Sequence, residues 1–102
     1  MAEFVTIASV DDLEGEELAA FEVDGDRIAV AQVGGIFHAI GDSCPHRQCS
    51  LGEGKLAGNV VTCPCHGSQF DVTSGERLVG PAVRGVRSYP VRVENGALQV
   101  GL

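Results

Sequence analysis

Residues 63–70 read CPCHGSQF, and residues 44–49 read CPHRQC. Each stretch opens on Cys-Pro and carries a histidine close behind. Proline fixes its own φ and offers no N–H, so both stretches are stiffened just after their first cysteine. Taken together they read C-x-H, a gap of sixteen residues, then C-x-x-H. A gap of that length lets one strand leave the first loop and another return as the second. Only Pro64 stands between Cys63 and Cys65, and two thiolates so close rarely serve one metal. The residues alone leave open which of the two is a ligand.

Outward from the loops the chain alternates with period two, broken by turn signals at short intervals. EFVTIAS reads as a strand, and the polar DDLEGEE after it as a turn region with at most one helical turn between Asp11 and Glu17. LAAFEV and RIAVAQV are strands joined at Asp24-Gly25-Asp26, a hairpin signal. Gly34-Gly35 turns the chain into IFHAIG. A loop over about 42–51 follows, then GEGKLAG as a glycine-rich connection, then the short strand NVVT. The second loop, over about 63–70, runs into QFDVT, with a turn at Ser74-Gly75. VRSYPVRVE and ALQVGL form a closing hairpin about Asn95-Gly96. Many short strands and tight turns predict an all-β fold, an antiparallel sandwich or barrel, in a single domain over 1–102.

The chain has 102 residues and a formal net charge of −7. At that size roughly two-thirds of the unfolded surface is buried, and a small core gains from a metal or a crosslink. Seven Lys and Arg against fourteen Asp and Glu argue against nucleic acid, whose phosphates demand bases. Nine of the acids precede Arg27, with no base among them, whereas five acids and all seven bases lie from Arg27 onward. That segment is a solvated face or an acidic docking surface. MAEFVTIASVDD lacks the basic start and apolar run of a signal peptide. No stretch approaches the ~20 apolar residues of a membrane span. The expectation is a cytoplasmic protein without membrane contact, in which four cysteines are ligands or redox groups.

The doubled loop resembles the Rieske iron–sulfur family, whose [2Fe–2S] cluster sits on two such loops. The resemblance implies that Cys44 and Cys63 hold one iron and His46 and His66 the other. Exchanging two thiolates for neutral imidazoles removes negative charge, raising the potential to roughly −150 to +300 mV against about −400 mV for plant-type ferredoxins. It also implies a role for the second cysteine of each loop. In the high-potential branch, positions matching Cys49 and Cys65 form a disulfide tying the loops together. Such a bond persists in a reducing cytosol where it is buried.

Further roles follow from the same resemblance. Gly67 permits close approach or positive φ, and the Ser68 hydroxyl bonds a bridging sulfide. Phe70 stands where the high-potential branch has a tyrosine donor. Pro81 belongs to a segment, 80–83, that covers the cluster's third side. His38 is an ordinary strand histidine. A zinc-stabilised interaction module uses the same ligand types, but leaves two thiols idle and gives no reason for the x against x-x spacing.

No catalytic residue is expected, since no nucleophile–base pair or phosphate loop is present. The implied function is electron transfer by a free monomer, as the ferredoxin between a flavin reductase and a terminal aromatic-ring oxygenase. The alternative is a small Rieske subunit of a nitrite reductase or molybdenum oxidase.

Overall fold

The structure is a computed structural model that describes residues 3–45 and 47–102. Its strands are β1 (Phe4–Ser9), β2 (Leu18–Val23), β3 (Asp26–Val33), β4 (Ile36–Gly41), β5 (Lys55–Ala57), β6 (Val60–Thr62), β7 (Gln69–Asp71), β8 (Arg77–Val79), β9 (Ser88–Tyr89), β10 (Val91–Glu94) and β11 (Ala97–Gly101). Two 3-10 turns, Val10–Leu13 and Leu51–Glu53, complete the regular structure. All paired strands are antiparallel, in three sheets ordered β1-β11-β10, β2-β3-β4-β9 and β5-β6-β7-β8. The all-β expectation therefore stands.

Period-two alternation in β3 divides the core. Ile28 and Val30 face a cluster with Leu13, Ala39, Leu98 and Val100, beneath the outer sheet that joins the two ends of the chain. Ala29 and Ala31 face the other way, against Leu51, Val61, Phe70 and Val72. β3 is thus buried on both faces, large side chains on one and alanines on the other. The small residues let the β5–β8 subdomain press close. The 3-10 turn Leu51–Glu53 presses equally close on β2: a Cβ added at Gly52 would lie 2.7 Å from that of Ala20, so that contact leaves no room for a side chain.

The turns follow the sequence signals. Asp24 and Gly25, and Asn95 and Gly96, all have positive φ, as two-residue hairpin turns of the primed type require. Three expectations need correction. Residues 55–57 of the glycine-rich connection are strand β5, paired with β6. Arg77–Val79, given no element from sequence, is strand β8, paired with β7. VRSYPVRVE is not one strand. It breaks at Pro90, which has no N–H for a ladder, so that β9 joins the central sheet and β10 the outer one.

Candidate functional site

The two cysteine loops are built on one backbone frame. In the first, the Cys44 N–H donates to the Cys49 carbonyl at 3.0 Å and the Gln48 N–H donates to the Cys44 carbonyl at 2.6 Å. In the second, the Cys63 N–H donates to the Ser68 carbonyl at 2.8 Å and the Gly67 N–H to the Cys63 carbonyl at 3.2 Å. Both frames thus close five residues after their first cysteine, and both put the fifth residue in the left-handed region: Gln48 at φ 59° and Gly67 at φ 81°. Cys44 and Cys63 occupy the same position in the two frames. Each is buried, 0% and 3% exposed, and both belong to the core cluster that holds Phe70, Val61 and Leu51.

A disulfide joins the frames. Cys49, the last residue of the first, is bonded to Cys65, the third of the second, with Cα atoms 6.4 Å apart. The pairing is the one that the resemblance implied, but its burial is not. Cys65 is exposed and Cys49 half-buried, because Cys65 stands at the tip of the second loop. His66 and Gly67 are exposed beside it. His46 lies outside the described residues.

The remaining expected residues divide between core and surface. Phe70 is fully buried and pairs across the ladder with Val61. It walls the two cysteines from water, and its loss to alanine would cost about 3–5 kcal/mol. Ser68 is also fully buried, and its hydroxyl accepts the Ala82 N–H at 3.0 Å. A hydroxyl that accepts in this way keeps its own proton to donate. Pro81 is exposed, and the residue of its segment that enters the core is Ala82. His38 lies opposite Ala31 in the central sheet.

Two residues escaped the sequence reading. Ala82, just named, anchors the proline segment. Asp42, fully buried, organises the first loop from its root. One carboxylate oxygen accepts from Arg27 at 2.9 Å, and the other from the Ser50 hydroxyl at 2.9 Å and the Gly52 N–H at 2.7 Å. Its carbonyl accepts the Leu51 N–H at 2.8 Å, so both ends of the loop hang on one residue. An Asp at the end of a strand is too common a loop residue to signal this. On the far side of the subdomain, Asp71 is held below the usual carboxylate range. Its oxygen accepts from the Thr73 hydroxyl first and the Thr73 amide second, with His38 nearby adding a smaller pull.

The donor set suits an iron–sulfur cluster. Two buried sulfurs at matching points of joined loops are soft ligands in a low-dielectric wall, with imidazoles on the same loops.

Comparison with known proteins agrees. The family model of the Rieske [2Fe-2S] domain matches residues 3–90. The ferredoxin component of the naphthalene 1,2-dioxygenase system of Pseudomonas putida is 33% identical over 96 residues, covering 94% of this chain and 91% of that one. The solved ferredoxin of carbazole 1,9a-dioxygenase from Nocardioides aromaticivorans IC177 superposes with a TM-score of 0.89 at 33% identity, covering 97% of each chain. A complex of reduced oxygenase and oxidized ferredoxin in carbazole 1,9a-dioxygenase contains a chain matching at TM-score 0.87 and 30% identity, covering 96% of this chain and 92% of that one. Among the described residues no helix is long and apolar enough to cross a membrane.

Proposed function

We propose that this chain, which belongs to the Rieske [2Fe–2S] domain family, is the ferredoxin of an oxygenase system. In this reading it works in the cytoplasm, taking one electron from a flavin reductase and passing it to a terminal aromatic-ring oxygenase. Cys44 and Cys63 hold one iron of the cluster, and His46 and His66 the other. The bound cluster supplies a reversible one-electron acceptor. The observation that carries the ligand assignment is the twin frame, in which Cys44 and Cys63 are equivalent while Cys49 and Cys65 are consumed by each other.

The chain's own residues then have distinct tasks. Phe70, Val61 and Leu51 exclude water from the sulfur side, which keeps the cluster from hydrolysis. Ser68 is held by the Ala82 amide and keeps its own proton to donate; given to a cluster sulfur, that bond would stabilise the reduced state more than the oxidised one. His66, exposed at a loop tip, offers the short path for the electron to leave. The carrier role rests on relatives that are themselves ferredoxin components and are matched over nearly their whole length.

One observation favours the second reading. The Cys49–Cys65 disulfide belongs to the high-potential branch of the resemblance, which suits a small Rieske subunit of a nitrite reductase or molybdenum oxidase. The midpoint potential of the purified protein separates the two. A value near about −150 mV, with electrons delivered from NADH through the reductase to the oxygenase of the Pseudomonas putida naphthalene system, is expected for the ferredoxin. A strongly positive potential with no such delivery would favour the subunit.

A further inference from the structure

A shallow groove of about 380 Å³ runs beside the root of the first loop, lined by Arg27, Arg84, Arg87, Asp26, Ser43 and Pro45. Ser43 and Pro45 flank Cys44, so the groove adjoins the cysteine loop itself. The backbone that carries Arg87 is held in place. The Val86 N–H donates to the Gly75 carbonyl at 2.8 Å, and the Gly41 N–H to the Arg87 carbonyl at 2.8 Å. That clamps residues 86–87 between the subdomain and the central sheet. The Arg87 guanidinium lies 4.6 Å from the Tyr89 ring centroid. Arg27 is paired with Asp42, whereas Arg84 and Arg87 have no ion pair among the described residues. Among the residues that line the groove, three guanidinium groups stand against one carboxylate, that of Asp26, in a protein whose net charge is −7.

The main group of acids is far away, while Glu22, opposite Arg27 in the ladder, and Asp24, in the turn before β3, flank the Arg27 end of the groove. Asp11, Asp12, Glu14, Glu16 and Glu17 precede β2, whose first residue pairs with Ala31 near the end of β3. The groove lies at the start of β3. Seven strand steps separate Asp26 from Val33, roughly 23 Å. That is nearly three Debye lengths at physiological salt, where the length is about 8 Å. The acidic end is therefore screened from whatever touches the groove, and contact there is governed by local charge rather than the total.

We infer that this groove receives an aspartate or glutamate side chain of the protein that exchanges electrons with the cluster, fixing that partner against the first loop. The inference rests on the electron-carrier reading for its occupant. The groove is too open to enclose a small molecule but admits one protruding carboxylate, and two guanidinium groups without a counter-ion meet it.

The test uses reduced holoprotein and ferricyanide, a small anionic oxidant. Its rate should fall as ionic strength rises, the reverse of what net charge alone dictates for two anions. Arg84→Gln with Arg87→Gln should slow it roughly fivefold at low salt, the size that two exposed charge pairs supply, with an unchanged Rieske spectrum. Glu14→Gln with Glu17→Gln, a charge change of equal size at the far end, should leave it unaltered. Hexaglutamate peptide should slow the wild-type reaction and not that of the arginine variant. A rate that rises with salt, or equal and opposite effects of the two double variants, would overturn the inference. So would inorganic phosphate competing as strongly as hexaglutamate, since the groove would then be a small-anion site. Titration of hexaglutamate into 15N-labelled protein, read at the Arg84 and Arg87 side chains, needs no cluster: shifts at both support the groove, and none refutes it. A purified protein without visible absorbance would instead refute the carrier reading.

Discussion

The two cysteine loops share a backbone and differ in how they are held. The first hangs from Asp42, a buried carboxylate that ties it to Arg27 at the start of β3, to Ser50 and to Gly52. The second is the tip of the β6–β7 hairpin, and apart from the disulfide its outside support is the Ser68–Ala82 bond to the proline segment. They differ again at the fifth frame residue, where the left-handed backbone falls on Gln48 in one and Gly67 in the other. A common frame places the sulfurs alike, while the histidine stands third in one loop and fourth in the other. The backbone thus fixes where the two sulfurs start, and in the proposed ligand set the different spacing lets each imidazole leave at its own point. The first loop, with strain at Gln48, relies on the polar root. The second, with glycine, does not.

The largest effect expected from this contrast is at the root. Asp42→Asn removes the charge opposite Arg27 and weakens the bonds to Ser50 and Gly52. Charge-assisted bonds lost in a buried site, with Arg27 still able to reach water, put the cost at about 2–3 kcal/mol. Thermal unfolding of the holoprotein should show it as a clear drop in Tm. Iron should be lost through loosening of the first loop, while the second keeps its amide protection. Equal loss of protection in both loops would show that they fold as one unit rather than two.

A smaller pair of variants tests the fifth frame residue. Gly67→Ala meets no atom within 4 Å, so its cost is that of the left-handed backbone alone, about 1 kcal/mol. Gln48→Gly relieves the same cost in the first loop, offset by a more flexible unfolded chain. It should be neutral to stabilising by up to about 1 kcal/mol. The denaturant midpoint should fall for Gly67→Ala and hold or rise for Gln48→Gly, and destabilisation by both would break the equivalence of the frames.

The smallest effect lies away from both loops. Asp71 has a folded-state pKa below its ordinary value, owing to Thr73. A depressed carboxylate contributes stability that is present above its unfolded pKa and lost as pH falls through the folded one. Asp71→Asn should therefore be less stable than wild type at neutral pH, and the gap should close in acid. A gap that is constant with pH would mean that the contact, not the charge, is what matters.

How much of this was legible in the sequence depends on the range of the interaction. Strands β1 to β4 alternate over six residues or more, and the turns between β2 and β3 and between β3 and β4 carry Asp-Gly and Gly-Gly, so local chemistry specified them. β5 and β8 are no shorter than β6 and β7, but β5 lies in a glycine-rich stretch and β8 shortly after the Ser74-Gly75 turn, and both exist because β6 and β7 offer them a ladder. The break at Pro90 was written in the sequence but outweighed by the alternation around it. In the site, cysteines and histidines announce themselves by spacing. Asp42 and Ala82 do not, because their partners, Arg27 and Ser68, lie fifteen and fourteen residues away and nothing in either neighbourhood marks the pairing. The disulfide pairing was legible only through resemblance, and its exposure was not legible at all.

The central claim is that equivalent positions in the two frames hold iron while the other two cysteines hold the loops. Electron paramagnetic resonance of the reduced protein, with iron content, measured on four single variants tests it most directly. Cys44→Ser and Cys63→Ser should lose the Rieske signal and the iron. Cys49→Ser and Cys65→Ser should keep both, in a protein less stable by up to about 3 kcal/mol, the loop-closure value for a bond spanning sixteen residues. Loss of the cluster in Cys65→Ser with its retention in Cys63→Ser would contradict the account.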